Sequence, residues 1–166
     1  MWWKFKGSVA HWLPEVLGQQ YDRGELKMRD VAVRADLTIH AGGGLAGVGC
    51  RENRDTDADF QWYEFVARDG FAAIRQSDVE GNIDVLAKTD QVSLPAGKAF
   101  TVEGVCVNDV AGRARLTMRL NGNQVLETTR SDPLDNGVPA LQAWTYPRHS
   151  PMEIHWHEFS VRAVTG

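Results

Sequence analysis

From Arg34 onward the chain reads as short runs in which apolar and polar side chains alternate. In Arg34–His40, Ala35, Leu37 and Ile39 alternate with Asp36, Thr38 and His40, the period of two that a half-buried strand requires. Gly42-Gly43-Gly44 interrupts the pattern, Leu45–Arg51 resumes it, and Glu52–Asp59 is a polar loop. Phe60–Val66 is aromatic and β-prone. Asp69-Gly70 predicts a tight hairpin turn, with Phe71–Gln76 as the return strand. Further strands are predicted over Ile83–Ala87, Phe100–Val107, Leu116–Leu120, Val125–Thr129, Val138–Trp144 and Ile154–Val164. Asn121-Gly122, between the Leu116 and Val125 strands, is the clearest hairpin signal in the chain.

Helical periodicity is confined to Ser8–Gly18, where Pro14 limits it to a turn or two. Parallel strands need long crossovers, and none is visible. About ten strands at spacings of roughly 8–12 residues, joined by hairpin turns, predict an all-β antiparallel sandwich or barrel. No internal repeat is seen, which disfavours a propeller or solenoid. The length of 166 residues fits one domain over 1–166, with residues 1–23 its least defined part.

Composition narrows the function. The net charge is −4 with the two signs interspersed, so no basic stripe invites nucleic acid. No apolar run approaches the ~18 residues that would imply membrane insertion. The N-terminal segment lacks the basic, apolar and small-residue regions of a secretory signal. Two readings follow: a cytoplasmic protein, or an exported one whose signal has been removed.

Cys50 and Cys106 fit no zinc motif, which normally needs four ligands. Cys50 shares a strand face with Val48, and Cys106 shares one with Phe100 and Val102, so both face a core. They are either two buried thiols or, if their strands neighbour each other, one disulfide. The disulfide would place maturation outside the cytosol.

Several segments in order carry a resemblance: Gly47-Val48-Gly49-Cys50-Arg51, Trp62-Tyr63-Glu64-Phe65-Val66, Asp69-Gly70-Phe71, Val105-Cys106-Val107, Leu116–Gly122, Gly137–Leu141 and Ile154–Val161. Together they resemble the concanavalin A-like lectin/glucanase superfamily. More narrowly, they look like the laminin-G-like domains of bacterial surface proteins and receptor-kinase ectodomains. The resemblance implies a two-sheet jelly roll with Cys50 paired to Cys106. It implies an extracellular or cell-surface recognition module for a glycan or another surface ligand. A structural or protein-interaction domain and a glycoside hydrolase are the other classes the fold hosts. Two departures stand out: His157-Glu158 replaces an acidic pair, and Met1–Gln20 matches nothing in the pattern.

Candidate site residues follow from the alternation. If Tyr63 and Phe65 face the core, Trp62 and Glu64 face outward, and Arg51 lies opposite Cys50. Trp144, Tyr146 and His149 precede the last strand. Sugars stack their C–H faces on indole and phenol rings, so these six residues are the expected ligand-binding set. The competing reading packs the aromatics into a second layer of the sandwich.

No catalytic residue is assigned. Glu153–Glu158 is similar to the ExDxxE strand of related glucanases, with His155 in place of the middle acid. Glycosidases of the retaining kind need two carboxyls ~5–5.5 Å apart, whereas residues five apart on a regular strand face opposite ways. The alternative is a core strand burying Ile154, Trp156, Phe159 and Val161, with a bulge near His157-Glu158. His155 and His157, with Glu153 and His149, supply half of a transition-metal site, but solvated histidines are the commoner explanation and no metal is assigned. No cofactor is assigned either. The resemblance allows calcium at a loop rim, where 53–59 offers oxygen ligands at alternating positions without the glycine and distal glutamate of an EF-hand.

Overall fold

The computed structural model describes residues 27–41, 44–52, 61–78, 80–144 and 153–164, together with the backbone of residues 2–6. The expected turn at 8–18 and the oxygen-rich loop at 53–59 lie outside the described residues. No helix among the described residues is long and apolar enough to cross a membrane.

Eleven strands follow in order: β1 (Trp2–Lys6), β2 (Val31–Ala41), β3 (Leu45–Glu52), β4 (Gln61–Arg68), β5 (Phe71–Asp78), β6 (Ile83–Thr89), β7 (Ala99–Asn108), β8 (Ala114–Leu120), β9 (Asn123–Arg130), β10 (Val138–Trp144) and β11 (Glu153–Ala163). Ten are those that the alternation predicts. β1 is an addition: it pairs with β11 at the edge of one sheet. The six-stranded sheet runs β1-β11-β2-β7-β8-β9 and the five-stranded sheet β10-β3-β4-β5-β6. Every pairing is antiparallel. The fold is an antiparallel two-sheet β-sandwich of the jelly-roll kind.

The predicted hairpins set the registers. Asn121 and Gly122 both take left-handed backbone conformations (φ 51° and 81°), as the tightest hairpin turn demands. The turn at Asp69-Gly70 pairs Glu64 with Arg75 and Phe65 with Ile74.

The core lies between the sheets. Val48, Tyr63, Phe65 and Ile74 from the five-stranded sheet meet Val33, Leu37, Val102, Leu116 and Met118 from the other. Phe65 is fully buried, which contributes about 1.5–3 kcal/mol. Its ring occupies the space over Gly104 of β7, where a Cβ would lie 2.2 Å from the ring. Glycine in a strand usually weakens it; here it admits the fully buried Phe65 ring.

Cys50 and Cys106 form a disulfide with Cα atoms 6.7 Å apart. The bridge does not join hydrogen-bonded neighbours. β3 and β7 belong to opposite sheets, so it crosses the sandwich and ties its two layers together.

Arg51 immediately follows this bridge, and its backbone is left-handed (φ 55°). That rotation breaks the alternation. The side chain, expected on the outer face, turns into the end of the sandwich and is fully buried. Nε donates to the carbonyl of Arg29 (2.9 Å), Nη1 to that of Leu134 (3.0 Å) and Nη2 to Asn108 Oδ1 (2.7 Å). Asp30 Oδ1 lies 3.7 Å from Nη2 and also accepts from the Asn108 N–H. Burial pulls the Arg51 guanidinium below its ordinary value, and nearby Tyr63 and Asp30 pull it back up. The Tyr63 hydroxyl accepts a hydrogen bond from the Leu134 N–H (3.0 Å). Burial raises the Tyr63 phenol above its ordinary 10.0, and the Leu134 bond opposes the rise.

Two outcomes are expected. The Cys50→Ala/Cys106→Ala double variant should retain its far-ultraviolet strand spectrum while losing up to about 4 kcal/mol in urea titrations; an unchanged midpoint would mean the bridge contributes nothing. Because the folded phenol is raised, its stabilising effect is complete below the ordinary tyrosine pKa and is lost as pH climbs from there toward the folded value. Thermal melts should therefore decline above about pH 10. Tyr63→Phe should cost about 1–3 kcal/mol at neutral pH, by leaving the Leu134 N–H unpaired, and should flatten that alkaline decline.

Candidate functional site

The hairpin register places Trp62, Glu64, Arg75 and Ser77 on the outer face of the five-stranded sheet. Trp62 Nε1 donates to Glu64 Oε1 (2.6 Å), and Arg75 Nε donates to Glu64 Oε2 (2.9 Å) while its Nη2 pairs with the same oxygen. The Arg75 guanidinium reaches across β4 and β3 to stand 5.2 Å from the centre of the Trp144 ring, a cation–π distance. Gly47 and Gly49 pair with Val66 and Glu64 on the intervening strand, so no side chain of β3 obstructs that reach. Trp62, Glu64 and Trp144 are thus brought together by a residue that sequence reasoning did not single out. Its signal was available: the Asp69-Gly70 turn fixes Arg75 as the partner of Glu64.

This constellation is not the open groove that the alternation suggested. Trp62, Glu64 and Arg75 are buried, and Glu64 is occupied on both oxygens. Trp144 is half-buried and packs with Phe71 against Leu45, Val66 and Ala73. The competing reading, aromatics packed in a second layer, describes these residues. Arg51 is separate from them, held at the end of the sandwich. Tyr146 and His149 lie outside the described residues.

The open, polar surface is elsewhere. At the mouth of the sandwich two adjoining concavities of about 260 and 290 Å³ share Gln61 and Gln76. The first continues along Ser77, Asp78, Asn82 and Asp84; the second along Arg130, Asp132, Leu134 and Asp135. Gln76 Nε2 donates to Gln61 Oε1 (2.7 Å). Arg130 Nη1 of β9 lies 3.6 Å from Asp84 of β6, an ion pair linking the two sheets across the cleft. Asn82 Nδ2 donates to Asp78, and this bond, ahead of several backbone N–H groups, holds the Asp78 carboxyl below its ordinary 3.8. Gln76 Oε1 and Arg130 Nε beside this cleft, and Ser77 Oγ and Trp144 Nε1 on the outer face of the five-stranded sheet, are buried with no hydrogen-bond partner among the described residues. Such atoms are rare in folded proteins.

The last strand carries the expected bulge. Its register against β2 shifts between Trp156 and Glu158, so His157 is the extra residue. Ile154, Trp156, Phe159 and Val161 all belong to the core. Glu153 and Glu158 come to one face, but four ladder steps separate their Cα atoms by about 13 Å, well beyond the ~5–9.5 Å between paired glycosidase carboxyls. His157 does not join His155: its Nε2 bonds Thr38 Oγ1 (2.8 Å), while His155 meets His40.

No protein-family model matches the sequence, and no curated protein matches it. Solved structures do match the fold. The chain is similar to a carbohydrate-binding module, CBM66, from Bacillus subtilis (16% identity over 82% of this chain and 73% of that one, TM-score 0.56). It is similar to a Bacillus subtilis protein of unknown function with a galectin-like fold (13% identity, 98% and 89% covered, TM-score 0.60). It is also similar to the beta-glucanase of Bacillus licheniformis (9% identity, 82% and 68% covered, TM-score 0.57). At these identities the likeness is one of fold, the jelly-roll β-sandwich.

Proposed function

We propose that this protein is a non-catalytic recognition module that works outside the cytosol and binds a neutral glycan in the cleft at the mouth of the sandwich. The observation that carries the proposal is the pair of adjoining polar concavities that share Gln61 and Gln76 and are lined by Asp78, Asn82, Asp84, Arg130, Asp132 and Asp135. A sugar hydroxyl both donates and accepts, and the two concavities offer amides, carboxylates and a guanidinium to such hydroxyls.

Charge selects the class of sugar. Asp78, Asp84, Asp132 and Asp135 surround a single guanidinium, that of Arg130. A uronic or sialic acid would face net repulsion, whereas neutral hydroxyls donate to carboxylates without penalty. Ile83 lines the same wall and offers apolar contact to ring C–H groups. The carbohydrate-binding module and the beta-glucanase with similar folds make a glycan a reasonable ligand class, and the disulfide fits an oxidising compartment. A non-catalytic role is supported by the occupied, buried Glu64 and by the wide spacing of Glu153 and Glu158.

One observation favours a second reading, a protein-interaction domain: Ile83 and Val85 are exposed on the edge strand β6, where a partner strand could add.

A glycan array with the wild type, Gln76→Leu, Arg130→Met and Trp144→Ala tests the proposal. Neutral glycans should bind the wild type and Trp144→Ala alike, and each cleft variant should weaken binding about tenfold or more, the equivalent of about 1.4 kcal/mol. Loss confined to Trp144→Ala would move the ligand to the outer face of the sheet and overturn the assigned site. An array with no bound glycan would overturn the function and leave the edge strand as the better reading.

A further inference from the structure

The two bulges on the β2–β11 ladder have a joint consequence. On β2 the register passes from Ala41 to Ile39 as β11 passes from Glu153 to Ile154, so His40 is the extra residue on its strand. A bulge re-aims the side chain it carries. The His40 ring stands against that of His155 with centroids 4.3 Å apart and planes inclined by 59°. His40 Nε2 lies 3.1 Å from His155 Nδ1, and His155 Nε2 lies 3.1 Å from Glu153 Oε1. One ligand atom from each of the three residues falls within 4.8 Å of those of the other two.

That is metal-ligand geometry. Two imidazole nitrogens bound at about 2.0–2.1 Å to one tetrahedral ion stand about 3.3 Å apart, close to the observed 3.1 Å. The carboxylate fixes the tautomer. With Glu153 accepting from Nε2–H of His155, Nδ1 carries a lone pair directed at His40, and such carboxylate–histidine contacts orient the ring. The proton then shared between His40 Nε2 and His155 Nδ1 occupies the position a cation takes. With the single proton of His40 moved to its Nδ1, the two facing nitrogens are neutral imidazole donors, a set suited to zinc and its transition-metal neighbours.

We propose that His40 Nε2 and His155 Nδ1 bind a divalent transition-metal ion of the zinc class at the surface, with Glu153 orienting His155 from its other ring nitrogen and solvent completing the coordination shell. The ion would link β2 to β11 and so brace the six-stranded sheet. His157 stays outside the site, held by Thr38. The only two cysteines are consumed by the disulfide, so no thiolate competes for the metal.

The test uses the full, oxidised chain stripped with a chelator. Zinc titrated by calorimetry should bind one equivalent in the micromolar range, and zinc should raise the melting temperature because it binds the folded form. Cobalt in place of zinc should give visible bands of nitrogen–oxygen coordination. His40→Ala and His155→Ala should each weaken zinc by about tenfold or more, and Glu153→Gln by several-fold. His157→Gln should bind as the wild type does. Each variant is first checked for an unchanged strand spectrum, and Glu153→Gln, exposed and conservative, keeps the test alive if a histidine variant fails to fold. No zinc binding below about 1 mM, or wild-type binding by both histidine variants, or loss of binding in His157→Gln would overturn the assignment.

Discussion

The buried guanidinium of Arg51 is the constraint on which the working end of the molecule depends. An isolated charge in a protein interior costs several kcal/mol, and here every nitrogen of the group is used: two carbonyls, one amide oxygen and the nearby Asp30 carboxylate. These partners come from the entry to β2, the end of β7 and the segment between β9 and β10. One side chain therefore fixes the two sheets to each other and holds the Leu134 segment against them. Tyr63 takes the Leu134 N–H, and Gly137 lets the same segment close on β3, since a Cβ there would lie 2.5 Å from the Arg51 carbonyl carbon. Asp132, Leu134 and Asp135 form the cleft wall on this anchored segment. A wall held this way needs little ordering when a ligand arrives, which favours affinity.

The disulfide and the Arg51 anchor act in series along the chain. Cys50 fixes β3 to β7, and the next residue turns left-handed to complete the anchor. Residues with side chains take that conformation rarely, at a cost of order 1–3 kcal/mol, and the hydrogen bonds of the guanidinium offset it. By contrast the exposed pairs on the outer face of the six-stranded sheet, such as Arg34–Asp36 and Arg119–Glu103, are partly solvated. Pairs of that kind contribute about 0–1 kcal/mol. Coherence of the sandwich thus rests on its interior and its mouth.

The strands and the layer that each residue faces were legible because alternation is a local property. All ten predicted strands are present, the inward set of Phe100, Val102 and Cys106 is core, and the bulge at His157 was visible as a change of phase between Trp156 and Phe159. Three features were not legible. β1 reads as Trp-Trp-Lys-Phe-Lys, too short and too irregular in phase to declare itself, and its pairing with β11 is long-range. Arg51 was misplaced because alternation presumes extended backbone, and nothing in its neighbours announces a positive φ. Trp62 and Glu64 were given the correct face but the wrong exposure: a period of two tells which way a side chain points, not whether that face is covered. The cleft residues were missed for a different reason. Gln61, Gln76, Asn82 and Arg130 are unremarkable singly, and only the meeting of two hairpin ends at the mouth makes them a set.

The fold keeps its two candidate binding surfaces apart. The cleft is built from the β4–β5–β6 ends, β9 and the anchored Leu134 segment; the histidine pair stands on β2 and β11 and owes its geometry to two bulges in one ladder. A jelly roll offers few places where backbone regularity is relaxed, and both surfaces occur at such places, a strand end and a bulge. In regular ladder positions, cross-strand neighbours satisfy one another, as Glu64 and Arg75 do, and the chemistry is spent on packing. Where the register slips or the strands end, polar side chains such as His40, His155, Asp78 and Asp84 meet with geometry still fixed by the sheet. Trp62 and Trp144 are instead drawn into the packing of the outer face by Glu64 and Arg75.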